Sequence, residues 1–350
     1  MANESSKEYS WQQIPRPIVC LAPMDGITDS AFRRVVRGFS PRVVLFSEFT
    51  SADGFLRSER LRQRLEFSPD EHPYFVQLFG NNPQAFREAS LALAQQGVAG
   101  VDINMGCPSR RIVHSQHGSG LMRDVQQACR VVEAVASTGV VQVSVKTRLG
   151  WSNADGLGDF AGSLADAGAS LITIHGRTYN QGYSGRADWE PIHALKKRLS
   201  VPVLGNGDVQ HLDDGQARMG NLDGFMIGRA AIGNPWVFLP GEQRRPSMEE
   251  RARVIEKHYR LLCELRPHGK ALLEFRKHLV GYLKGFEMAK TARVRMLQAQ
   301  SEREFLDMVR DLPALIGPVR PQTGGAAPQE RPAGGSRNDT APHPVPHPAP

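Results

Sequence analysis

No apolar run in the 350 residues approaches the roughly 18 that a bilayer-spanning helix needs. The first residues, MANESSKEYSWQQIPRP, lack the apolar segment of a signal peptide, so export is not expected and the cytoplasm is the expected compartment. Four cysteines, at 20, 107, 129 and 263, include no CxxC pair, which excludes a disulfide framework and a cysteine zinc site. Neither GxGxxG nor GxxxxGK occurs, so neither a Rossmann dinucleotide site nor a P-loop is indicated. Charge is sparse too: 23% of residues are charged, for a net +7.

That excess is unevenly placed. Residues 1–240 carry 24 basic and 23 acidic groups, whereas residues 241–316 carry 16 and 11, a net of +5 in about a fifth of the chain. The last segment, 317–350, holds nine prolines and five glycines with no aromatic and no Leu, Ile or Met. Such a stretch has too little apolar surface to offset the entropy of ordering, so it is expected to be a disordered tail, and its HPVPHP end a solvated one with no metal.

What the chain does contain is rhythm. Short apolar runs at 18–21, 43–47, 74–78, 101–104, 140–146, 171–175, 202–204 and 224–227 alternate with amphipathic helical patterns at 83–96, 125–137, 158–167 and 189–199. Glycines 97, 139 and 168 follow three of these helices. Continuous apolar strands imply burial on both faces and hence a parallel sheet. Eight of them in about 225 residues predict an α/β fold, a (β/α)8 TIM barrel, over an open doubly wound sheet. Residues 249–265, 271–285 and 302–312 read as helices with no strands between them. The expected organisation is a barrel over 1–240, a small all-helical C-terminal domain over 247–316 and the tail over 317–350.

In such a barrel, chemistry sits at the C-terminal strand ends. Polar residues cluster there: Met24-Asp25-Gly26 after the first run, Gln77 in the third, Asn104-Met105-Gly106-Cys107 after the fourth and Lys146-Thr147-Arg148 after the fifth. The sixth ends in His175-Gly176-Arg177, the seventh in Asn206-Gly207-Asp208 and the eighth in Gly228-Arg229. Glycines after the last two strands let backbone N–H groups approach a phosphate, and Arg229 adds a cation. Cys107 lies in a loop, unlike the other three cysteines, which fall in apolar runs. A rim thiol serves as nucleophile or proton donor, and His114 and His117 are near enough in sequence to act as partner bases. Lys146 tops a buried strand and needs an electron-rich partner: a Schiff-base carbonyl, a phosphate or an anionic ring.

Taken together, the segments APMDGITD (22–29), VQLFG (76–80), DINMGCPS (102–109), GSGLMRD (118–124), VKTRLGW (145–151), IHGRT (174–178), GNGD (205–208) and IGRAAIGNPW (227–236) closely resemble the tRNA-dihydrouridine synthase family. FRKHLVGYLKGF (275–286) resembles that family's helical domain, so the likeness spans about 17–312. The resemblance implies an FMN flavoenzyme that reduces particular tRNA uridines to 5,6-dihydrouridine with NADPH or NADH. It places Pro23, Met24, Asp25, Gln77, Lys146 and His175 beside the flavin ring and Asn206, Gly207, Asp208, Gly228 and Arg229 at its phosphate. Cys107 becomes the general acid that protonates the uracil opposite the flavin, Asn104 orients the base and Arg148 meets the RNA. Arg276, Lys277, Lys284 and Arg293, with Lys290 and Arg295, are expected to hold tRNA phosphates. The protein is expected to be a monomer without metal or membrane contact. Two positions depart from the family pattern: Gly281 stands where an aromatic precedes Tyr282, and Glu287-Met288 interrupts a small-residue turn. Two other readings remain: an FMN barrel acting on a small dihydroorotate-like or enoate substrate, and a tRNA-binding protein without turnover.

Overall fold

In the computed structural model, which describes residues 9–109, 116–241 and 245–316, the eight apolar runs become the staves of one parallel barrel. They are β1 (Ile18–Leu21), β2 (Leu45–Phe46), β4 (Tyr74–Phe79), β5 (Gly100–Asn104), β6 (Gln142–Arg148), β7 (Leu171–His175), β8 (Val203–Asn206) and β9 (Gly224–Ile227). A two-residue strand, β3 (Thr50–Ser51), also pairs with β4. Sequence neighbours are spatial neighbours, and β1 returns to β9 in the register Ile18↔Gly224 through Leu21↔Ile227. Closure comes at β1 and β2, where Leu21 N donates to Val44 O at 3.0 Å and Val44 N to Val19 O at 2.9 Å. The predicted (β/α)8 barrel, and not an open sheet, is what the chain adopts. The tail 317–350 and His114 lie outside the described residues.

Helices Pro83–Gln95, Val125–Ala136, Leu157–Asp166 and Glu190–Lys196 lie where periodicity placed them. Asn82 and Asp124 cap the first two by accepting from Gln84 N and Gln127 N. Among the described residues, four helices between barrel strands escaped the periodicity: Ser30–Phe39, Ala52–Arg57, Glu59–Gln63 and Leu212–Met219. The first has a clear start signal, since Asp29 accepts from Phe32 N at 2.9 Å.

The C-terminal region is all helical, as expected, with helices Met248–Leu265, His268–Tyr282, Ala289–Met296 and Glu302–Leu315. A capping box between Ser247 and Glu250 starts the first. This region does not keep a core of its own. Ala31 and Val35 of the Ser30–Phe39 helix and Trp236 of the last barrel loop are buried in the same cluster as Ile255, Tyr259, Phe275, Leu279 and Tyr282. Phe32 also packs on His278, with ring centroids 4.5 Å apart. Each such buried aromatic contributes about 1.5–3 kcal/mol of apolar burial.

The closest approach at this joint is backbone on backbone. A Cβ on Gly281 would stand 1.9 Å from Ile232 O, and one on Gly233 (φ +62) would stand 2.0 Å from His278 O. Gly281 therefore departs from the family's aromatic for a steric reason: here the helix His268–Tyr282 lies directly against the loop after β9. Helix propensity alone makes Gly281→Ala stabilising by about 1 kcal/mol. We expect the opposite sign, a loss of about 1–3 kcal/mol from overpacking, measured as a lower midpoint in urea denaturation; a raised midpoint would refute the contact.

Candidate active site

The C-terminal ends of the strands open into a cavity of about 400 Å3. Its lining includes Pro23 and Met24 after β1, Gln77 on β4, Asn104, Gly106 and Cys107 at the end of β5, Lys146 and Arg148 on β6 and His175 on β7. Asn206, Gly207, Asp208, Gly228 and Arg229 complete the wall from β8 and β9. Of the residues that the sequence assigned to a cofactor, only Asp25 is off this wall. It is exposed and pairs instead with Arg64, Nη2 to Oδ1 at 2.9 Å.

Strand register explains the layering. Asn104 lies opposite Lys146 on β5 and β6, and one layer deeper Gln77, Asp102 and Ser144 form a row across β4, β5 and β6. The Asn104 side chain closes the next turn: its Oδ1 accepts from Gly106 N at 3.1 Å and from Cys107 N at 2.9 Å. Cys107 is thereby held at the cavity wall. Burial pushes its thiol up from the ordinary 9.0, against the lowering effects of the Ser109 hydrogen bond, Arg148 and Lys146. His117 packs its ring on Phe79, centroids 6.0 Å apart.

Lys146 is half-buried, and desolvation at the strand end, with Arg148 nearby, brings its ammonium down to about 8. Arg148 lines the cavity as well, but much of its guanidinium is committed to backbone. Nε donates to Gly106 O at 2.7 Å, and Nη1 donates to Thr178 O at 3.0 Å and Gly182 O at 2.7 Å. It thus braces the cysteine loop against the loop after β7.

Burial, reinforced by the cations Lys146, Arg148, Arg177 and Arg229, lowers His175 to about 2, so the ring is neutral. Arg177 Nη1 donates to its Nε2 at 3.3 Å. A guanidinium offers no acceptor, so Nε2 is the lone-pair nitrogen and the ring proton sits on Nδ1. Sequence reasoning quoted Arg177 without giving it a role. In the structure it is 2% exposed and ties the wall together, donating to Ser184 O, Gly185 O and both oxygens of Asp208 at 2.8 and 2.7 Å. The signal available was an arginine two residues beyond a buried strand end, where a cation needs a carboxylate. Asp208 also accepts from Ala187 N and from Arg229 Nη2, so its carboxylate orients two arginines, of which Arg229 is on the cavity wall.

The predicted RNA-facing cations lie on the helical region, and two of them reach the barrel. Lys284 lines the cavity, while Lys277 reaches across to the barrel, its Nζ donating to Gly26 O at 3.3 Å. Arg276, Lys290 and Arg295 are exposed on the helical region and Arg293 is half-buried. Tyr183, which the sequence did not single out, stands 60% exposed at the rim with Arg148 and Arg229 at 5.5 and 5.3 Å from its ring centre. Among the described residues no cluster of His, Cys, Asp and Glu is placed to hold a metal, and no helix is long and apolar enough to cross a membrane.

Comparison with known proteins agrees with this geometry. A "probable tRNA-dihydrouridine synthase 1" of Synechocystis is 37% identical over 302 residues, covering 83% of this chain and 85% of that one. A "probable tRNA-dihydrouridine synthase" of Rhizobium leguminosarum is 35% identical, covering 82% and 92%. One from Staphylococcus epidermidis is 33% identical, covering 86% and 96%. The family model described as dihydrouridine synthase matches residues 20–316, nearly the whole of the barrel and helical region, and the chain belongs to that family.

Proposed function

We propose that this enzyme, an oxidoreductase of the dihydrouridine synthase family, reduces particular tRNA uridines to 5,6-dihydrouridine with FMN in the barrel cavity and NADPH or NADH as reductant. The observation that carries the reading is one cavity lined by a protonated thiol, Cys107, and a half-buried ammonium, Lys146. The lining suits FMN. Gln77, Asn104 and Lys146 offer hydrogen donors to a ring, and a Cβ at Gly228 would fall 3.6 Å from Ala22 Cβ and 3.9 Å from Met24 Sδ, within the cavity wall. Gly207, Gly228, Asn206 and Arg229 would take its phosphate, with Asp208 and Arg177 holding Arg229 in place. Bound there and reduced, FMN supplies the hydride.

The rest is done by the chain. Cys107 Sγ keeps its proton at neutral pH and delivers it to the uracil carbon where negative charge develops. Asn104, with Oδ1 committed to the Gly106 and Cys107 amides, orients the base with its remaining N–H. The target uridine must leave the tRNA stack to reach such a recess. Arg276, Lys277, Lys284 and Arg293 bind phosphates of the tRNA, and Arg148, on the cavity wall, meets the RNA. The presence of Lys284 on the cavity wall favours a polyanionic substrate over a small enone or a free pyrimidine. The same reading has the protein working in the cytoplasm as a monomer.

The test is to incubate the FMN-loaded protein with NADPH and unmodified tRNA and to quantify dihydrouridine by mass spectrometry. Cys107→Ala should retain FMN and NADPH oxidation while dihydrouridine formation falls by about 10²–10⁴-fold. A thiol raised from 9.0 stays protonated through neutral pH, so product formation should be level there and decline only in the alkaline range. Full activity of the alanine variant would remove Cys107 from this role.

Lys146 generates a separate expectation. Its ammonium is charged below about 8 and neutral above, so an electron-rich ring is held more weakly as pH rises through that value. The Kd for FMN, followed by flavin fluorescence, should rise through this range in the wild type and be weak and nearly pH-independent in Lys146→Met.

A further inference from the structure

Beneath the cavity floor, a chain of hydrogen bonds connects a fully buried carboxylate to the cysteine loop. Asp102 on β5 is 0% exposed. Its Oδ1 accepts from Ser144 Oγ at 2.6 Å and its Oδ2 from Gln77 Nε2 at 2.6 Å. Gln77 Oε1 then accepts from Asn104 Nδ2 at 2.9 Å, and Asn104 Oδ1 accepts from the Gly106 and Cys107 amides.

Both ends of this chain have a fixed sense. A carboxylate only accepts, and a backbone N–H only donates. The two carboxamides between them have no such constraint, because each can turn over and exchange oxygen for nitrogen. With acceptors at one end and donors at the other, one arrangement satisfies every link. Gln77 must give its nitrogen to Asp102 and its oxygen to Asn104, and Asn104 must give its nitrogen to Gln77 and its oxygen to the cysteine loop. What remains for the cavity is a second hydrogen on each amide nitrogen, so the floor presents donors beside the Lys146 ammonium. Burial pushes the Asp102 carboxyl up to about 6, opposed by the hydrogen bonds from Ser144 and Gln77 and by Lys146, which leaves it an anionic acceptor at neutral pH.

We propose that Asp102 is a positioning residue whose buried carboxylate sets the donor–acceptor sense of Gln77 and Asn104 and, through them, the seat of the Cys107 backbone. The inference rests on the reading of Cys107 as the proton donor. Asp102 touches no substrate on this account and acts only through its two amide neighbours. Asparagine at 102 keeps the shape but replaces the anionic acceptor with a neutral amide that can also donate, so the sense of the chain is held from the cysteine-loop end alone and its anchor at Gln77 is weakened.

The test uses the FMN-loaded enzyme labelled with 15N-cysteine, whose four cysteines give four amide resonances. That of Cys107 is assigned by its loss in Cys107→Ala. In Asp102→Asn the Cys107 resonance should shift or broaden, while those of Cys129 and Cys263 stay in place as references for an intact fold. Gln77→Met cuts the same chain one link later and should disturb the same resonance, which keeps the test decisive if Asp102→Asn folds poorly. In stopped-flow measurements on Asp102→Asn, flavin reoxidation by tRNA should slow by about tenfold or more, equivalent to the loss of one well-placed hydrogen bond, while flavin reduction by NADPH changes little. An unmoved Cys107 resonance in both variants, or two half-reactions slowed equally, would overturn the proposal. If wild-type enzyme is not reoxidised by tRNA at all, the functional reading fails, and the cysteine resonances still decide the positioning role.

Discussion

The contact on which the arrangement of the two regions depends is the one between two glycines. Gly233, in the loop after β9, and Gly281, near the end of the helix His268–Tyr282, let two backbones approach to a distance that no side chain would permit. That loop follows the strand end that carries Gly228 and Arg229. The helix is therefore fixed directly to the rim. Lys284 follows Gly281 by less than one turn and so reaches the cavity, and Lys277, about one turn before, reaches Gly26. Shared apolar burial around Phe32, Trp236 and Tyr282 holds the joint, but its glycines set the distance.

Charge inside the rim obeys a second constraint. Buried cations need a compensating carboxylate, or they hold their proton less firmly, or they take backbone carbonyls as partners. All three solutions occur here. Arg177 has Asp208, Lys146 is brought down to about 8, and Arg148 is committed to the carbonyls of Gly106, Thr178 and Gly182. The result is a wall in which Arg229 and Lys146 keep charge near the open space. An anion placed there gains attraction without having to displace the structural pairs.

Much of this was legible in the sequence because a parallel barrel is unusually explicit. Its strands are buried on both faces, so each reads as an unbroken apolar run, and the polar residue that ends the run marks the rim. Cys107, Lys146, His175 and the glycines after β8 and β9 were found in this way, and the family motifs only named what position had already singled out. Less legible were the short helices Ala52–Arg57, Leu212–Met219 and Ala289–Met296, which span too few turns to establish a period. The helix Ser30–Phe39 was overlooked despite a strongly amphipathic pattern, with Ala31, Phe32, Val35 and Val36 buried between the barrel and the helical region. Asp25 illustrates the limit of motif transfer, for it sits beside Met24 in the sequence yet turns outward to Arg64.

Polar residues within apolar runs pose the hardest problem. Asp102 lies in the middle of β5, and nothing in the local sequence says whether such a carboxylate is a reactant, a ligand or a support. Register answers that question, since it places Gln77 on one side and Ser144 on the other, both able to donate. The uneven charge of the sequence acquires a similar meaning once the chain is folded. A barrel of net +1 reflects internal pairing, because many of its arginines and lysines find acids within the barrel region, as Arg33 finds Glu71, Lys196 finds Asp223 and Arg177 finds Asp208. The +5 of residues 241–316 sits on the helical region, where Lys284 lines the cavity and Arg276 and Lys290 are exposed. Polyanion capture and hydride chemistry impose opposite demands, solvent-exposed charge for one and buried, compensated charge for the other. The glycine joint is what allows one chain to meet both within a few residues of each other.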